Sequence, residues 1–134
     1  MTFTFDQPIL FKHCDPAGIV FYPRYFEIFN DCIEAFFARI GHPFHEILRA
    51  GGVPTVRIET EFLSPNRHGD MLSLSLHLTK LGRTSIGVEI TGRTEGVVSC
   101  SYRSVMVRVG ADDRPQPWSD AERAALRAYT KGDT

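Results

Sequence analysis

The segment His13-Cys14-Asp15-Pro16-Ala17-Gly18-Ile19-Val20-Phe21-Tyr22-Pro23 holds the residues best suited to chemistry in this 134-residue chain. Asp15 is a carboxylate placed a few residues ahead of a run whose apolar spacing is helical. A helix N-terminus offers free N–H groups and a partial positive charge of roughly half a unit. Such a site can polarise a carbonyl or hold an oxyanion while the carboxylate attacks or activates water. Pro16 and Gly18 would set an irregular backbone on which Asp15 and the helix start converge. Asp-Pro is also a common turn former, so spacing alone leaves Asp15 open as a turn or capping residue.

A second constellation is Lys80-Leu81-Gly82-Arg83-Thr84-Ser85, between two strongly alternating segments. A basic turn of this kind can grip phosphates, with Arg83 as a forked donor beside Lys80, Thr84 and Ser85. It is equally compatible with a hairpin turn carrying solvated charges. Arg67 and His68, in the neighbouring turn, are weaker candidates for the same role. His42 and His45 sit at i, i+3 but lack a third ligand nearby, so no metal is assigned. Cys14 beside His13 has no base or orienting partner and reads as a small buried side chain. Neither a Ser-His-Asp order nor a GxSxG elbow occurs.

The elements that must position these groups follow from periodicity. Phe3, Phe5, Ile9 and Phe11 share the parity of a half-buried strand, which Pro8 interrupts or places at an edge. Tyr22, Tyr25, Phe26, Phe29, Ile33, Phe36, Phe37 and Ile40 follow the i, i+3/i+4 rule, with Pro23 in the first turn and Gly41 at the end. Only the first turn of that stripe, with Phe21, Tyr22 and Tyr25, lies near enough to Asp15 to border a pocket. Pro43–Ala50 reads as a short second helix closed by Gly51-Gly52. Period two then takes over: Val56, Ile58, Thr60 and Phe62; Leu72 to Leu78; Ile86, Val88 and Ile90; and Val97–Val109, whose apolar parity switches as at a bulge. Ser119-Asp120-Ala121-Glu122 is a capping box opening a terminal helix to about Tyr129. Antiparallel strands with one apolar face and one large aromatic helix imply a curved sheet of about five strands wrapped around one long central helix. Arg57, Glu59, Ser73, Ser75, His77 and Glu89 would lie on the outer face, polar enough for water or a wet subunit contact.

Composition narrows the class. Of 15 aromatic residues, 11 lie between Phe3 and Phe44, as a helix enclosed by a sheet requires. A formal charge of −1, from 15 basic and 16 acidic residues, argues against a general nucleic-acid binder. It leaves room for a small basic pocket. No apolar run approaches the ~18–20 residues of a membrane span, and the N-terminus lacks a signal peptide's pattern. Three scattered cysteines suit a reduced, cytoplasmic protein, and the absence of linkers suggests one domain over residues 1–134.

The run CDPAGIVFYPRYFE, followed by the strand-rich remainder, resembles the 4-hydroxybenzoyl-CoA thioesterase family of hotdog-fold proteins. The likeness extends over the chain in length and element order, and its motif is highly specific. It implies a hotdog fold and hydrolysis of an acyl-CoA thioester, a 4-hydroxybenzoyl-CoA-like aromatic or short acyl group, without metal. No separate cofactor is implied, since coenzyme A belongs to the substrate. Asp15 matches the family's catalytic carboxylate, which serves in relatives as nucleophile, giving a mixed anhydride, or as general base on water. Tyr22 matches the helix-start position whose backbone N–H polarises the thioester carbonyl. His13 stands where relatives are often acidic or polar, and no role transfers to it. Relatives use the strand-loop-strand corresponding to Lys80–Ser85 for CoA, often with more basic residues and a Trp that this chain lacks. The resemblance further implies a homo-oligomer, dimer or homotetramer, whose sites draw residues from two chains. Two alternatives stay open. A hotdog acyl-CoA dehydratase or hydratase would need a His where Val20 and Phe21 stand. A non-catalytic acyl-CoA or aromatic-ligand binding module would have no use for Asp15.

Overall fold

Strict alternation of leucines with small polar residues builds the middle of the sheet. In the computed structural model, which describes residues 1–131, Leu72, Leu74, Leu76 and Leu78 are wholly buried along strand β4 (Met71–Leu81). Around it stand β1 (Phe3–Pro8), β5 (Ser85–Thr94), β6 (Val97–Val107) and β3 (Thr55–Phe62), in the order β1-β4-β5-β6-β3. Every neighbouring pair is antiparallel. One register row, Phe3–Leu76–Ile90–Tyr102–Thr60, crosses all five strands on the inner face. A second, two-stranded sheet pairs β2 (Gly51–Gly52) with β7 (Val109–Gly110).

Three helices occur among the described residues: α1 (Tyr22–Arg39), α2 (Phe44–Ile47) and α3 (Asp120–Arg127). The buried face of α1 is Tyr25, Ile28, Phe29, Cys32, Ile33, Phe36 and Phe37, at the helical spacing the sequence shows. Phe29 meets Tyr102 of β6 at 4.7 Å and Phe36 meets Phe3 of β1 at 5.8 Å, so α1 runs from over β6 to over β1. Close packing beneath it needs Gly92, where a Cβ would lie 2.7 Å from Cys100 Sγ. The expected capping box forms: Glu122 N–H donates to Ser119 Oγ and Ser119 N–H to Glu122 Oε1.

Several expectations change. Phe11 is not in a strand but in a single 3-10 turn (Phe11–His13), because the chain leaves the sheet at Pro8, and its ring is exposed. The helix at Pro43–Ala50 is only the one turn of α2, and Gly51-Gly52 pairs as β2. His42 precedes that turn, so His42 and His45 do not share a helix face. The parity switch of β6 lies earlier than its valines indicate, at Ser99 and Cys100, which are both buried, after which Tyr102, Ser104 and Met106 keep the inner face and Val105 and Val107 the other. The register slips at the same point, where Gly92 pairs with Cys100 and Arg93 with Val98, so that Ser99 is an extra residue in β6. Most consequential is β3, whose apolar side is not covered: Val56 and Ile58 are 62% and 47% exposed. The path of α1 from β6 to β1 leaves this edge strand open except at its Phe62 end.

Candidate active site

A tight hairpin brings Asp15 back toward the start of α1. Asp15 N–H donates to Ile19 O and Phe21 N–H to His13 O, each at 2.9 Å, while Cys14 and Val20 form an antiparallel bridge. The turn closes by Gly18 N–H to Asp15 O at 2.9 Å. Gly18 has φ +81°, a left-handed value that glycine adopts without strain. Within this hairpin Asp15 Oδ1 accepts the Ala17 N–H at 2.9 Å, so the carboxylate is a turn former as well. Oδ2 has no hydrogen-bond partner among the described residues, and Asp15 is half-buried. Ile19, which faces Asp15 across the hairpin, is three residues ahead of Tyr22, a chain reach of at most ~10 Å, to which the cross-strand spacing adds ~5 Å.

The helix start supplies the complementary charge. Phe21 is the N-cap and contributes no side-chain cap, Pro23 has no N–H, and Arg24 N–H turns back to Phe21 O at 2.8 Å. Tyr22 N–H is therefore the first free donor of α1, without a partner among the described residues. Around it is an aromatic wall: Phe21 and Tyr22 rings meet at 5.7 Å, and Tyr22 and Phe62 at 6.2 Å. All three are substantially exposed. Tyr25, expected to border the pocket, is instead buried and occupied elsewhere. Phe62 takes its place in the wall, a role its strand parity concealed.

Behind the hairpin is a support that sequence reasoning missed. Asn66, in the turn between β3 and β4, is 1% exposed. Its Oδ1 accepts the Tyr25 hydroxyl at 2.8 Å, and its Nδ2 donates to Thr94 Oγ1 at 2.7 Å and to Ser99 Oγ at 3.1 Å. Its carbonyl accepts Val20 N–H at 2.9 Å, and Arg67 bridges Ile19. One amide thus joins α1, the Asp15 hairpin and the β5–β6 turn. Burial pushes the Tyr25 hydroxyl up to about 12, which keeps it a donor across the neutral range. His13 is also buried, and its Nδ1 accepts the Leu10 N–H at 2.9 Å. Burial, then Lys12, lowers its pKa and favours the neutral ring that this bond requires.

Lys80, Arg83, Thr84 and Ser85 lie elsewhere. Lys80 is the last residue but one of β4, Ser85 opens β5, and Arg83 is exposed in the turn between them. The turn's carbonyls are taken by the C-terminal segment: Arg123 donates to Gly82 O at 2.7 Å, Trp118 N–H to Arg83 O at 3.1 Å, and Arg108 N–H to Thr84 O at 2.7 Å. Arg123 brings a further cation to this turn from α3. The Asp15 hairpin docks on the turn preceding β4, and Lys80–Ser85 follows its far end. The 11 residues of β4 put roughly 33 Å between them. Arg67 and His68 are at the Asp15 end, so they do not join the basic turn. One protomer therefore does not bring the carboxylate and the basic turn together.

A carboxylate held beside a free helix-start N–H, under an open aromatic wall, is an arrangement for attacking a polarised carbonyl. The chain belongs to the Thioesterase-like superfamily, whose family model matches residues 9–126. Among curated relatives, a 1,4-dihydroxy-2-naphthoyl-CoA hydrolase of Synechococcus elongatus is 29% identical over 90 residues. That match spans 65% of this chain and 66% of the relative, just under two thirds. A Staphylococcus aureus protein solved in complex with CoA superposes with a TM-score of 0.92 at 18% identity, covering 100% of this chain and 87% of that one. A gentisyl-coenzyme A thioesterase gives a TM-score of 0.81 at 25% identity, over 92% of this chain and 98% of that one. The likeness to these structures establishes the hotdog thioesterase fold, here a five-stranded antiparallel sheet with helices. No helix among the described residues is long and apolar enough to cross a membrane.

Proposed function

We propose that residues 1–134 act as a single acyl-CoA thioesterase domain, hydrolysing a 4-hydroxybenzoyl-CoA-like aromatic or short acyl-CoA to the free acid and CoA. The observation that carries this is the Asp15 hairpin set beside the unpartnered Tyr22 N–H in a member of this superfamily. Tyr22 N–H would polarise the thioester carbonyl, supported by the dipole of α1, the helix at the centre of the curved sheet. Asp15 then acts in one of two ways. As nucleophile, its oxygen bonds to the carbonyl carbon, the C–S bond breaks and CoA thiolate leaves; water hydrolyses the resulting anhydride. As general base, it takes a proton from the water that attacks. Thiolate is a good leaving group, so neither route needs a strong general acid. Relatives named for dihydroxynaphthoyl-CoA and gentisyl-CoA support an aromatic acyl group, as does the wall of Phe21, Tyr22 and Phe62.

The separation of roughly 33 Å along β4 within one protomer also supports a homodimer. The outer edge of β3 is free, and its eight residues are nearly all exposed. Antiparallel pairing of two β3 edges about a two-fold axis sets the Thr55 end of one against the Phe62 end of the other. Each Asp15 site then adjoins the partner's groove of about 350 Å³ beside Phe44, Leu48, Val53 and Pro54. The partner's Lys80–Ser85 turn lies at that same end and would grip CoA phosphates through Lys80 and Arg83, with Thr84 and Ser85 beside them. CoA is part of the substrate, and no separate cofactor is needed for this chemistry.

Thiol release from a panel of acyl-CoA thioesters, wild type beside Asp15→Asn, tests the assignment. The variant is expected to lose about 10²–10⁴-fold in kcat, the usual contribution of one positioned acid–base group. Wild-type turnover by Asp15→Asn would overturn the role of Asp15, and inactivity of the wild type on every thioester would overturn the activity. After a single turnover in ¹⁸O-water, label in the Asp15 carboxylate marks the nucleophilic route, with water attacking the Asp15 carboxyl carbon of the anhydride, whereas the general-base route places the label only in the released acid.

A further inference from the structure

Two glycines stand side by side in β2, and only one of them has a backbone reason to be glycine. A Cβ at Gly51 would collide with Val109 O across the β2–β7 pair. Gly52 has no left-handed φ to accommodate. Its Cβ would meet only Leu48 Cδ2 at 3.6 Å, Pro54 Cδ at 3.8 Å and Val109 Cγ2 at 3.8 Å, all ordinary contact distances. Alanine therefore fits at this position, and glycine there weakens the fold, because it loses more backbone freedom on folding. What the missing methyl leaves is space. Leu48, Pro54 and Val109, the neighbours of that absent Cβ, all line the groove of about 350 Å³ between α2 and β2, and so does Gly52 itself.

The groove is apolar except at one point. Ligand pockets span about 300–1,000 Å³, so this one lies at the small end and suits a single acyl group. Among the described residues lining it, Asp113 is the one with an ionisable side chain. Asp113 N–H donates to Gly110 O at 3.0 Å in the turn after β7, and its φ of +62° is a left-handed value that few non-glycine residues adopt. The neighbouring Asp112 Oδ1 accepts Arg114 N–H at 3.0 Å, whereas the Asp113 carboxylate has no hydrogen-bond partner among the described residues. An ionised carboxylate accepts hydrogen bonds and donates none. On the wall of an apolar groove it favours an acyl group that carries a hydroxyl and repels one that carries a second carboxylate.

We propose that Gly52 and Asp113 select the acyl group: the side chain absent at Gly52 makes room for a ring, and Asp113 accepts a hydrogen bond from a hydroxyl on that ring. This rests on the thioesterase reading above and on the β3 pairing that sets the groove beside the partner's Asp15. Binding is read apart from hydrolysis, by calorimetric titration of the full chain with non-hydrolysable ketone analogues of acyl-CoA. In these a CH₂ separates sulfur from the carbonyl, which bears a 4-hydroxyphenyl, phenyl or methyl group. Gly52→Ala is expected to raise the ratio of the 4-hydroxyphenyl Kd to the methyl Kd by at least about tenfold, the low end of what one methylene contributes in an apolar pocket. Its urea midpoint should be no lower than that of the wild type. Asp113→Gly, which keeps the left-handed φ without strain, is expected to raise the ratio of the 4-hydroxyphenyl Kd to the phenyl Kd by about tenfold. An unchanged ratio in either variant would overturn the role of that residue. A wild type that shows these ratios but hydrolyses no thioester would overturn the thioesterase reading and leave the groove assigned. A heterodimer of Asp15→Asn with Gly52→Ala, isolated through two affinity tags, tests the pairing. One of its sites joins an intact Asp15 to an intact groove across the two chains, so it should hydrolyse 4-hydroxybenzoyl-CoA with the wild-type KM and half the wild-type kcat. The raised KM of Gly52→Ala would instead put each groove with its own Asp15 and overturn the shared site.

Discussion

Removing one oxygen atom, by Tyr25→Phe, probes the support of the Asp15 hairpin with little other disturbance. The ring of Tyr25 stacks on Phe29 at 6.2 Å and meets Phe62 at 5.3 Å, contacts that phenylalanine keeps. What disappears is the 2.8 Å bond to Asn66 Oδ1, an acceptor that is buried and has no other partner among the described residues. A dry, unsatisfied acceptor costs about 1–3 kcal/mol, and relief from burying the phenol oxygen offsets part of it. The expected net loss is about 2 kcal/mol. With a urea m-value of about 2 kcal/mol/M for a small domain, the unfolding midpoint should fall by about 1 M at unchanged m. Asn66→Ala removes the acceptor itself, so in the double variant the two losses should not add, with a coupling of at least about 1 kcal/mol. Since the Asn66 carbonyl holds Val20 N–H, kcat for thiol release should fall along with stability. A midpoint unchanged within about 0.2 M, or strict additivity of the two substitutions, would refute the network.

The remaining predictions concern other parts of the structure. The buried pair of Arg108 and Glu122, at 3.2 Å, ties α3 to the end of β6, and Arg108→Met should cost about 3–5 kcal/mol by stranding the carboxylate. Burial pushes the Glu122 pKa up, but the Ser119 N–H and the Arg108 guanidinium outweigh it and hold the group below its ordinary value. Its contribution is thus full above the ordinary carboxylate pKa and lost as pH falls through the lower folded one, so the urea midpoint should decline in that acidic window and decline less in Arg108→Met. Ile58→Asp places a charge on the open apolar side of β3 and should halve the molar mass through loss of edge pairing. Thiol release should fall with it, as sites shared between protomers require; full activity in a dissociated variant would refute the shared site.

Asp15 and Tyr22 are legible as candidates because their relation is local: a seven-residue hairpin runs straight into a helix start. Asn66 is not, since its partners Val20, Tyr25, Thr94 and Ser99 are scattered through the chain and a buried turn amide has no period. The leucines of β4 and the stripe of α1 announce their burial, because period two and period 3.6 each assign a face to every residue. Val56, Ile58 and Phe62 carry the same alternation, yet they stay exposed. Parity determines which way a side chain points and says nothing about what, if anything, covers it. By itself, then, the amino-acid sequence determined the element types, their apolar faces and the carboxylate beside a helix start. Only the tertiary structure decided that β3 is an open edge, that one amide braces the hairpin, and that Asp15 and Lys80 lie at opposite ends of β4. Those facts depend on strand order and register, which arise from contacts between residues far apart in the chain.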